Sequence, residues 1–192
     1  DLGKFPFKFV ETNSIGEIGI DDLMAIVSEF QVLEVAHRDE LVHLEVWLPP
    51  EEITSRKSLV VFMPGLGGSP EHFRWLARRL SFNGWPVVLL EHPGSDAKAV
   101  LALLEGRRSA PGAEVLPDRL EDLFSVLQAQ ADGDLQVSGR KLVLMGHSLG
   151  ALTAFFAAGA EPEPGLGKRC EEALDAFSLT NLSQLLQCQI VN

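Results

Sequence analysis

The sequence predicts an α/β fold, in which a mostly parallel β-sheet carries helices on both of its faces. Three apolar runs, at residues 58–63, 86–90 and 141–145, are continuous enough to be strands buried on both sides. Segments with helical spacing of apolar residues separate these runs. Alternating strands and helices indicate a parallel sheet, because each parallel connection has to cross a face of the sheet.

The composition fits one soluble domain and excludes several partners. The 192 residues are 46% hydrophobic, and we interpret residues 1–192 as a single, partial domain with its own core. A formal net charge of −11 repels phosphate groups, so we expect no nucleic-acid partner. No apolar run reaches the roughly 18–20 residues of a membrane span. We expect a soluble protein, with the cytoplasm favoured over the periplasm. The sequence does not predict its oligomeric state.

The chain is predicted to begin with a helix and a β-hairpin. We take residues 1–30 as an N-terminal extension, in which apolar residues at i, i+3, i+4 and i+7 predict a helix over 21–30. A polar turn at residues 37–40 then joins two strands, predicted at 31–36 and 41–48.

Two helices are predicted around the second buried strand. Ser69 as N-cap and Pro70 as the first helical residue predict the start of one helix. The residues predicted to face inward from it are Phe73, Leu76, Ala77 and Leu80. The other helix is predicted over 96–105, followed by an irregular excursion over 106–117 that contains glycine and proline.

An amphipathic helix precedes the third buried strand. It is predicted over 118–130, with Asp118 either as its N-cap or in a salt bridge that steadies the preceding loop. Its predicted core-facing residues are Leu120, Leu123, Phe124 and Leu127. We interpret Glu121 and Asp122 as part of its solvated face.

The C-terminal part reads as helix and loop. An apolar helix is predicted over 151–160, and short helices over 170–177 and 181–187. We interpret 161–190 as a candidate lid or cap segment. The two cysteines, Cys170 and Cys188, are either buried thiols or one disulfide.

The strongest motif is GHSLG, from Gly146 to Gly150, at the junction of a buried strand and an apolar helix. The pattern G-x-S-x-G in this position is typical of a nucleophile elbow, which holds its serine on a sharp, strained turn. The residues two before and two after the serine have to be small, and both are glycines. The helix that follows directs its N-terminal dipole at the serine, which favours developing negative charge. We therefore predict Ser148 as the catalytic nucleophile.

A glycine-rich loop, PGLGG, follows the first buried strand. Acyl transfer needs two backbone N–H groups directed at the oxyanion, and we predict that Leu66 and Leu149 supply them. Gly65 and Gly67 allow the backbone to approach the substrate closely. The loop lacks the Lys-Ser/Thr of a Walker A loop and the G-x-G-x-x-G of a dinucleotide site. We predict no organic cofactor and no metal.

These segments together resemble the α/β-hydrolase superfamily. The resemblance lies in VVFMPGLGG, VVLLEHPGS and LVLMGHSLGA at these intervals. The longer run, with EHPGSDAKAVLALLEGR, LPDRLEDL, GHSLGALTAFFAAGA and LTNLSQLLQC, resembles cyanobacterial hydrolases related to platelet-activating-factor acetylhydrolase. It covers residues 31–188. Pro64 stands where many members have histidine, a departure that leaves the later backbone N–H intact.

The resemblance implies an α/β-hydrolase fold and a serine esterase or lipase. Such an enzyme would cleave a small-molecule ester or lipid through an acyl-enzyme on Ser148. Two alternatives stay open. One is a non-catalytic, hydrolase-like module that binds an acyl or lipid ligand, and the other is a serine acyltransferase.

The catalytic acid and histidine are not found in this chain. The superfamily's triad runs serine, acid, histidine, but no histidine follows Ser148, and the only later aspartate is Asp175. No buried strand run follows residue 160 either, so we expect the C-terminal strands of the fold to be missing from a truncated chain. A serine without a base is a poor nucleophile. The chain alone is therefore expected to be inactive or weakly active.

Five histidines precede the serine, and two of them, His37 and His43, lie in the predicted hairpin and are not favoured as its base. His72 and His92 lie in loops or helix starts that could approach the serine. The simpler interpretations are a solvated helix residue for His72 and a loop residue bonded to backbone for His92. We expect His147 to pack beneath the elbow.

Overall fold

The computed structural model describes residues 9–11, 28–51, 53, 55, 58–108, 115–135, 137, 139, 141–161, 165 and 168. Its strands are β1 (Phe9–Glu11), β2 (Ser28–Leu33), β3 (Val42–Trp47), β4 (Ser58–Met63), β5 (Val87–Leu90) and β6 (Lys141–Gly146). Its α-helices are α1 (Arg74–Ser81), α2 (Ala97–Leu104), α3 (Leu116–Asp132) and α4 (Leu149–Ala157), and a 3₁₀ helix, Pro70–Phe73, precedes α1.

The strands form one mixed sheet in the order β1-β2-β3-β5-β4-β6. β4 pairs in parallel with β5 on one side and with β6 on the other. These three strands are the apolar runs that the sequence predicts as buried and parallel, and that prediction is confirmed. The strands that precede them pair antiparallel, from β1 to β2, from β2 to β3 and from β3 to β5.

The hairpin is confirmed, but its first strand starts earlier than predicted. β2 pairs with β3 along its whole length, from Ser28 opposite Trp47 to Leu33 opposite Val42. The helix predicted over 21–30 is therefore wrong at residues 28–30, while residues 21–27 lie outside the described part of the chain. The apolar spacing there fits both a short helix and a strand, and the cross-strand hydrogen bonds decide in favour of the strand.

The two faces of the sheet bury separate apolar clusters. Alternate residues of the central strands point to opposite sides, as the pleat requires. One face packs under α3 and α4, through residues that include Leu44, Leu59, Val61, Met63, Val88, Leu123 and Val126. The other face packs under α1, through residues that include Trp47, Val60, Phe62, Ala77, Val87 and Leu89. The predicted arrangement of helices on both faces is confirmed.

Three predicted helices lie close to their expected positions. Ala77 is buried and Phe73, Leu76 and Leu80 pack half-buried against the same cluster, as predicted for the stripe of α1. The N-cap of α2 is Asp96, whose side chain accepts a hydrogen bond from the Ala99 N–H at 2.8 Å. α4 begins at Leu149, two residues before the predicted start.

α3 differs from its prediction in its start and in its buried face. The helix begins at Leu116 with Val115 as N-cap, so Asp118 lies within the first turn instead of capping it. Phe124, predicted to face the core, is 46% exposed. The residues that α3 buries are Leu116, Arg119, Asp122, Leu123, Val126 and Ala129.

The solvated position predicted for Asp122 is therefore wrong, since the side chain is buried. Polar partners from other elements surround this part of α3. They allow Arg119 and Asp122 to take positions on its buried face that apolar side chains would otherwise fill. The helices predicted over 170–177 and 181–187, both cysteines and most of the candidate lid lie outside the described residues. Within the described residues, no helix is both long and apolar enough to cross a membrane.

We expect Leu44→Ala to lower the free energy of unfolding by about 2–5 kcal/mol, because it leaves a cavity in a well-packed core. Leu44 is 1% exposed in the middle of β3. Leu101, which is 56% exposed on α2, provides a control, and Leu101→Ala should change stability by less than about 0.5 kcal/mol. Urea denaturation measures both, and equal effects of the two substitutions would contradict the core described above.

Candidate active site

The candidate site lies where the strand order reverses. The chain runs from β4 to β5 on one side and then returns to β6 on the other side of β4. At such a switch point, the loops after two neighbouring parallel strands separate and leave a crevice at their carboxyl ends. The glycine-rich loop after β4 and the GHSLG turn after β6 both begin at this crevice.

Ser148 occupies the turn between β6 and α4 in a strained conformation. Its backbone has φ 52° and ψ −122°, and among the described residues it alone combines a side chain with a positive φ. This conformation costs of the order of 1–3 kcal/mol and persists only where the surrounding structure enforces it. The side chain is exposed, so the turn presents its hydroxyl to solvent above the sheet.

The glycines of the turn are required by close backbone contacts. A Cβ on Gly146 would lie 2.2 Å from the carbonyl carbon and oxygen of Gly150. A Cβ on Gly150 would lie 1.9 Å from the carbonyl oxygen of Met63, the last residue of β4. Neither position has room for a side chain, in agreement with the predicted need for small residues.

The loop after β4 lies directly against Ser148. A Cβ on Gly65 would lie 2.9 Å from the Ser148 Cβ, so only a glycine allows this approach. The Gly68 N–H donates to the Gly65 carbonyl at 3.0 Å and closes the loop into a turn. Gly67, with φ 71°, donates its N–H to the Ser95 carbonyl at 2.8 Å, which ties the loop to the segment after β5.

Leu66 and Leu149 keep their N–H groups available for an external acceptor. Leu149 is the first residue of α4, where the helix offers its N–H no internal acceptor. Leu66 lies inside the Gly65–Gly68 turn. Within the described parts of the chain, neither N–H donates to another backbone group. Leu149 directly follows Ser148, and Leu66 directly follows Gly65, the residue that lies against Ser148.

The structure does not bring a histidine to Ser148. All five histidines lie among the described residues, and in that part of the chain no hydrogen bond joins any of them to the serine. His72 is exposed, as expected, and its Nδ1 accepts from the Ser69 N–H at 3.3 Å. His147 is also exposed, so its expected packing beneath the elbow is wrong. Its ring lies beside Phe73 instead, with centroids 5.9 Å apart.

His92 belongs to a buried cluster around Asp122. Its Nδ1 lies 2.9 Å from one carboxylate oxygen, and the Nε2 of His37 lies 2.9 Å from the other. The Arg38 Nε lies 3.2 Å from that second oxygen, and an Arg38 terminal nitrogen donates to the Pro93 carbonyl at 2.7 Å. His92 therefore bonds to a carboxylate, and the backbone partner expected for it is wrong. The cluster joins α3 to the β2–β3 turn and to the loop after β5.

Burial changes the titration of this cluster. It raises the pKa of Asp122 to about 7, while the positive charges of Arg38 and Arg119 oppose the rise. It lowers the pKa of His92 well below the usual value, and the same two arginines add to that effect. The imidazole is therefore neutral at neutral pH, and its Nδ1 hydrogen bond holds it against Asp122.

Arg119 forms a second buried polar contact set, nearer to Ser148. The guanidinium donates from Nε to the Thr153 hydroxyl at 3.0 Å, and from its two terminal nitrogens to the Ser95 hydroxyl at 2.6 Å and the Pro64 carbonyl at 2.7 Å. Burial lowers its pKa to about 10, which still leaves it charged at neutral pH.

Arg119, Asp122 and Thr153 are not predicted from the sequence as parts of the region around the serine. A signal for the first two exists, because they continue the spacing of Leu116, Leu123 and Val126 along one face of α3. Thr153 interrupts an otherwise apolar helix. Their partners are distant in sequence. The pattern therefore predicts that these side chains are buried, but it does not predict which groups they contact. In the described part of the chain, no group of three or more His, Cys, Asp or Glu side chains is arranged so that it could hold a metal ion.

A family model described as "Alpha/beta hydrolase family" matches residues 60–179. The match spans the glycine-rich loop, the His92 loop, α3 and the whole GHSLG turn. Among proteins with curated functions, none matches the chain's sequence significantly.

Several solved structures resemble this one. A cold-adapted esterase from an Arctic intertidal metagenomic library aligns at TM-score 0.51 and 18% identity, over 78% of this chain and 60% of that chain. Esterase 2 of Thermogutta terrifontis aligns at TM-score 0.48 and 24% identity, over 71% of this chain and 47% of that one. A carboxyl esterase of Bacillus coagulans aligns at TM-score 0.48 and 15% identity, over 82% and 55%. This chain thus spans about 60% of the length of the first of these esterases.

We expect Gly150→Ala to disrupt the turn that carries Ser148, because its Cβ would overlap the Met63 carbonyl oxygen. The variant should unfold several kilocalories per mole more easily or fail to fold. Gly133→Ala is the matched control, since Gly133 has a positive φ of 83° but nothing within 4 Å of the added Cβ. It should cost only backbone strain, about 1–2 kcal/mol. Chemical denaturation compares the two, and a Gly150→Ala as stable as the control would show that the contact is not close.

Asp122→Ala should lower the free energy of unfolding by about 3–5 kcal/mol, because it leaves buried donors of His92 and Arg38 without their acceptor. Asp118, one turn earlier on α3, is the control. Its carboxylate is 60% exposed and lies 3.6 Å from Arg38, so Asp118→Ala should cost less than about 1 kcal/mol. Urea midpoints measure both variants. Similar losses would mean that the buried cluster adds no more to stability than a surface ion pair.

Proposed function

The chain belongs to the alpha/beta hydrolase family, whose model covers well over half of its residues, and on that premise we propose that it is a serine hydrolase. The predicted α/β-hydrolase fold is confirmed by the family match and the esterase alignment. The reaction proposed is the cleavage of a carboxylic ester through an acyl-enzyme. Ser148 is the proposed nucleophile. It needs a base to activate its hydroxyl and N–H donors to stabilise the oxyanion.

The conformation of Ser148 is the observation that carries the proposal. A serine with φ 52° and ψ −122° is strained, and the close contacts of Gly146 and Gly150 enforce that strain. Packing of the serine side chain does not explain this turn, because that side chain is exposed. Strain of this kind is typical of functional sites, and here it lifts one hydroxyl above the carboxyl ends of the parallel strands.

The proposed oxyanion hole consists of the Leu66 and Leu149 N–H groups. Attack by the Ser148 hydroxyl on an ester carbonyl would move negative charge onto the carbonyl oxygen. Two fixed N–H groups on either side of the serine stabilise that charge without reorganising at the moment of reaction. The N-terminus of α4 adds the positive end of its dipole in the same place. Gly65 lets the loop that carries the Leu66 N–H approach Ser148 closely, since a Cβ there would lie 2.9 Å from the Ser148 Cβ.

The base for Ser148 is proposed to come from outside this sequence, together with the catalytic acid. The sequence has no histidine after Ser148, and His37 and His92, which pair with the buried Asp122, form no hydrogen bond to the serine in the described part of the chain. The chain spans about 60% of the length of the cold-adapted esterase, which leaves room for further elements in a longer protein. Without such a base, a serine hydroxyl is a weak nucleophile.

The substrate class proposed is a small ester or a lipid ester. The cold-adapted structure with the same fold is an esterase by its own description, and that activity is carried over here only as part of the proposal. The sequence resemblance to hydrolases related to platelet-activating-factor acetylhydrolase supports a lipid-like ester. No cofactor or metal takes part in this chemistry, because the nucleophile, the oxyanion donors and the base are all protein groups.

Reaction with a fluorophosphonate probe tests the proposal. The natural gene product is purified, its intact mass is compared with the 21.0 kDa of this chain, and it is treated with the probe. We expect labelling of the wild type at Ser148 and none of Ser148→Ala. The control is Ser81→Ala, since the Ser81 hydroxyl is buried and donates to the Arg78 carbonyl at 3.0 Å; it should label normally.

Each result of this experiment has a defined meaning. Labelling that depends on Ser148, together with hydrolysis of p-nitrophenyl butyrate, supports the esterase. A folded natural protein that neither labels nor hydrolyses esters overturns it and favours a module that only binds acyl ligands. Labelling with product formed on an added alcohol instead of water overturns hydrolysis and indicates acyl transfer.

A further inference from the structure

The Arg119 side chain has an unusual environment for a charged group. It is 1% exposed on the buried face of α3. Its three hydrogen bonds go to two hydroxyl groups and one backbone carbonyl, all of them neutral. Within the described residues, no carboxylate lies within ion-pair distance of it. A buried charge without a directly paired carboxylate is costly, so stability alone does not explain this side chain.

The acceptors of Arg119 belong to the segments that carry the proposed oxyanion donors. One acceptor is the carbonyl of Pro64, two residues before Leu66. Another is the hydroxyl of Thr153, which in turn donates to the carbonyl of Leu149 at 3.0 Å. The same guanidinium therefore bonds to the loop that holds one donor and, through one hydroxyl, to the residue that holds the other.

The third acceptor strengthens the link to the loop after β4. Arg119 donates to the Ser95 hydroxyl at 2.6 Å, and the Ser95 carbonyl accepts the N–H of Gly67 at 2.8 Å. The loop is thus held from Pro64 at one end and from Gly67 at the other, with Leu66 between them. Arg119 contributes to both attachments from a rigid helix of 17 residues.

We propose that Arg119 is a positioning residue that fixes the spacing of the Leu66 and Leu149 N–H groups across Ser148. The inference rests on the proposed function, because it assigns a purpose to the spacing of oxyanion donors. Donors have to be held within about 0.5 Å of the productive geometry to stabilise a transition state. A planar guanidinium with several donors in a fixed fork suits this task better than a flexible ammonium group.

Variants of Thr153 and Arg119 in the full natural protein test the inference. Thr153→Val removes the hydroxyl that joins Arg119 to Leu149 and keeps the shape, whereas Thr153→Ser keeps the hydroxyl and loses only a methyl group. Arg119→Met removes all three hydrogen bonds, and it is the variant more prone to misfolding. Arg74→Met is the matched control, because Arg74 bonds to the buried Glu45 at 2.9 Å on the α1 face, away from Ser148.

The measurements separate positioning from general structural damage. We expect Thr153→Val to lower kcat for p-nitrophenyl butyrate by about tenfold to a hundredfold, since complete loss of an oxyanion donor costs about 10²–10³. KM should stay within about threefold. The affinity for a trifluoromethyl ketone, whose adduct with the serine carries an oxyanion, should fall by the same factor as kcat/KM. Thr153→Ser should restore kcat to within about threefold of the wild type.

Several results would overturn the inference. One is a Thr153→Val protein with unchanged kcat and unchanged affinity for the ketone. Another is a Thr153→Ser protein whose kcat is as low as that of Thr153→Val. A third is an Arg74→Met protein whose kcat falls as far as that of Arg119→Met, which would indicate general destabilisation. Failure of the proposed function looks different, because the wild type itself would then neither label with fluorophosphonate nor turn over the ester.

Discussion

The close approach between the end of β4 and the start of α4 is the constraint on which the candidate site depends. Gly150 lies so near the Met63 carbonyl that no side chain fits, and a Cβ on Gly65 would lie 2.9 Å from the Ser148 Cβ. These two contacts bring three backbone segments together at the carboxyl ends of parallel strands. The strain at Ser148 follows from them, because β6 has to turn sharply for α4 to pass this close to β4. Parallel pairing of β4 with β6 over six residues keeps the two strand ends level, which makes the approach possible.

Beneath this arrangement lies a layer of buried polar groups that the apolar core alone would not require. Arg119 attaches α3 to the loop after β4 and to α4, and Asp122 attaches it to His37, His92 and Arg38. Both residues are on the same face of one helix, one turn apart, so α3 couples the loops after β4 and β5 to the hairpin. Buried polar groups define a single geometry more strictly than apolar packing does, since each hydrogen bond has to be satisfied at its own distance.

The sequence predicts those features of this structure that depend on local patterns, and it misses those that depend on distant partners. Residues 58–63 are a strand in both, because a continuous apolar run has few alternatives. The GHSLG turn is predicted because glycine spacing reflects backbone crowding that any side chain would violate. Local spacing predicts a helix at residues 28–30, because it does not contain their pairing with Trp47 and its neighbours. It predicts a solvated Asp122 for the same reason, since the partners of Asp122 lie as far as 85 residues away along the chain.

The position of Ser148 also limits where a base can approach. One side of the serine is filled by Gly65, and the proposed oxyanion donors belong to the residues that directly follow Gly65 and Ser148. A base has to come within about 3 Å of the hydroxyl from a direction that the donors leave free. Among the described strands, β6 pairs only with β4, so its other side remains open. Its side chains are exposed or half-buried along the strand, whereas those of β4 are almost all buried. Under the proposed function, we therefore expect the base to come from protein that covers this side of β6. The base would then approach Ser148 from one side, and the oxyanion donors held by Arg119 would approach it from the other.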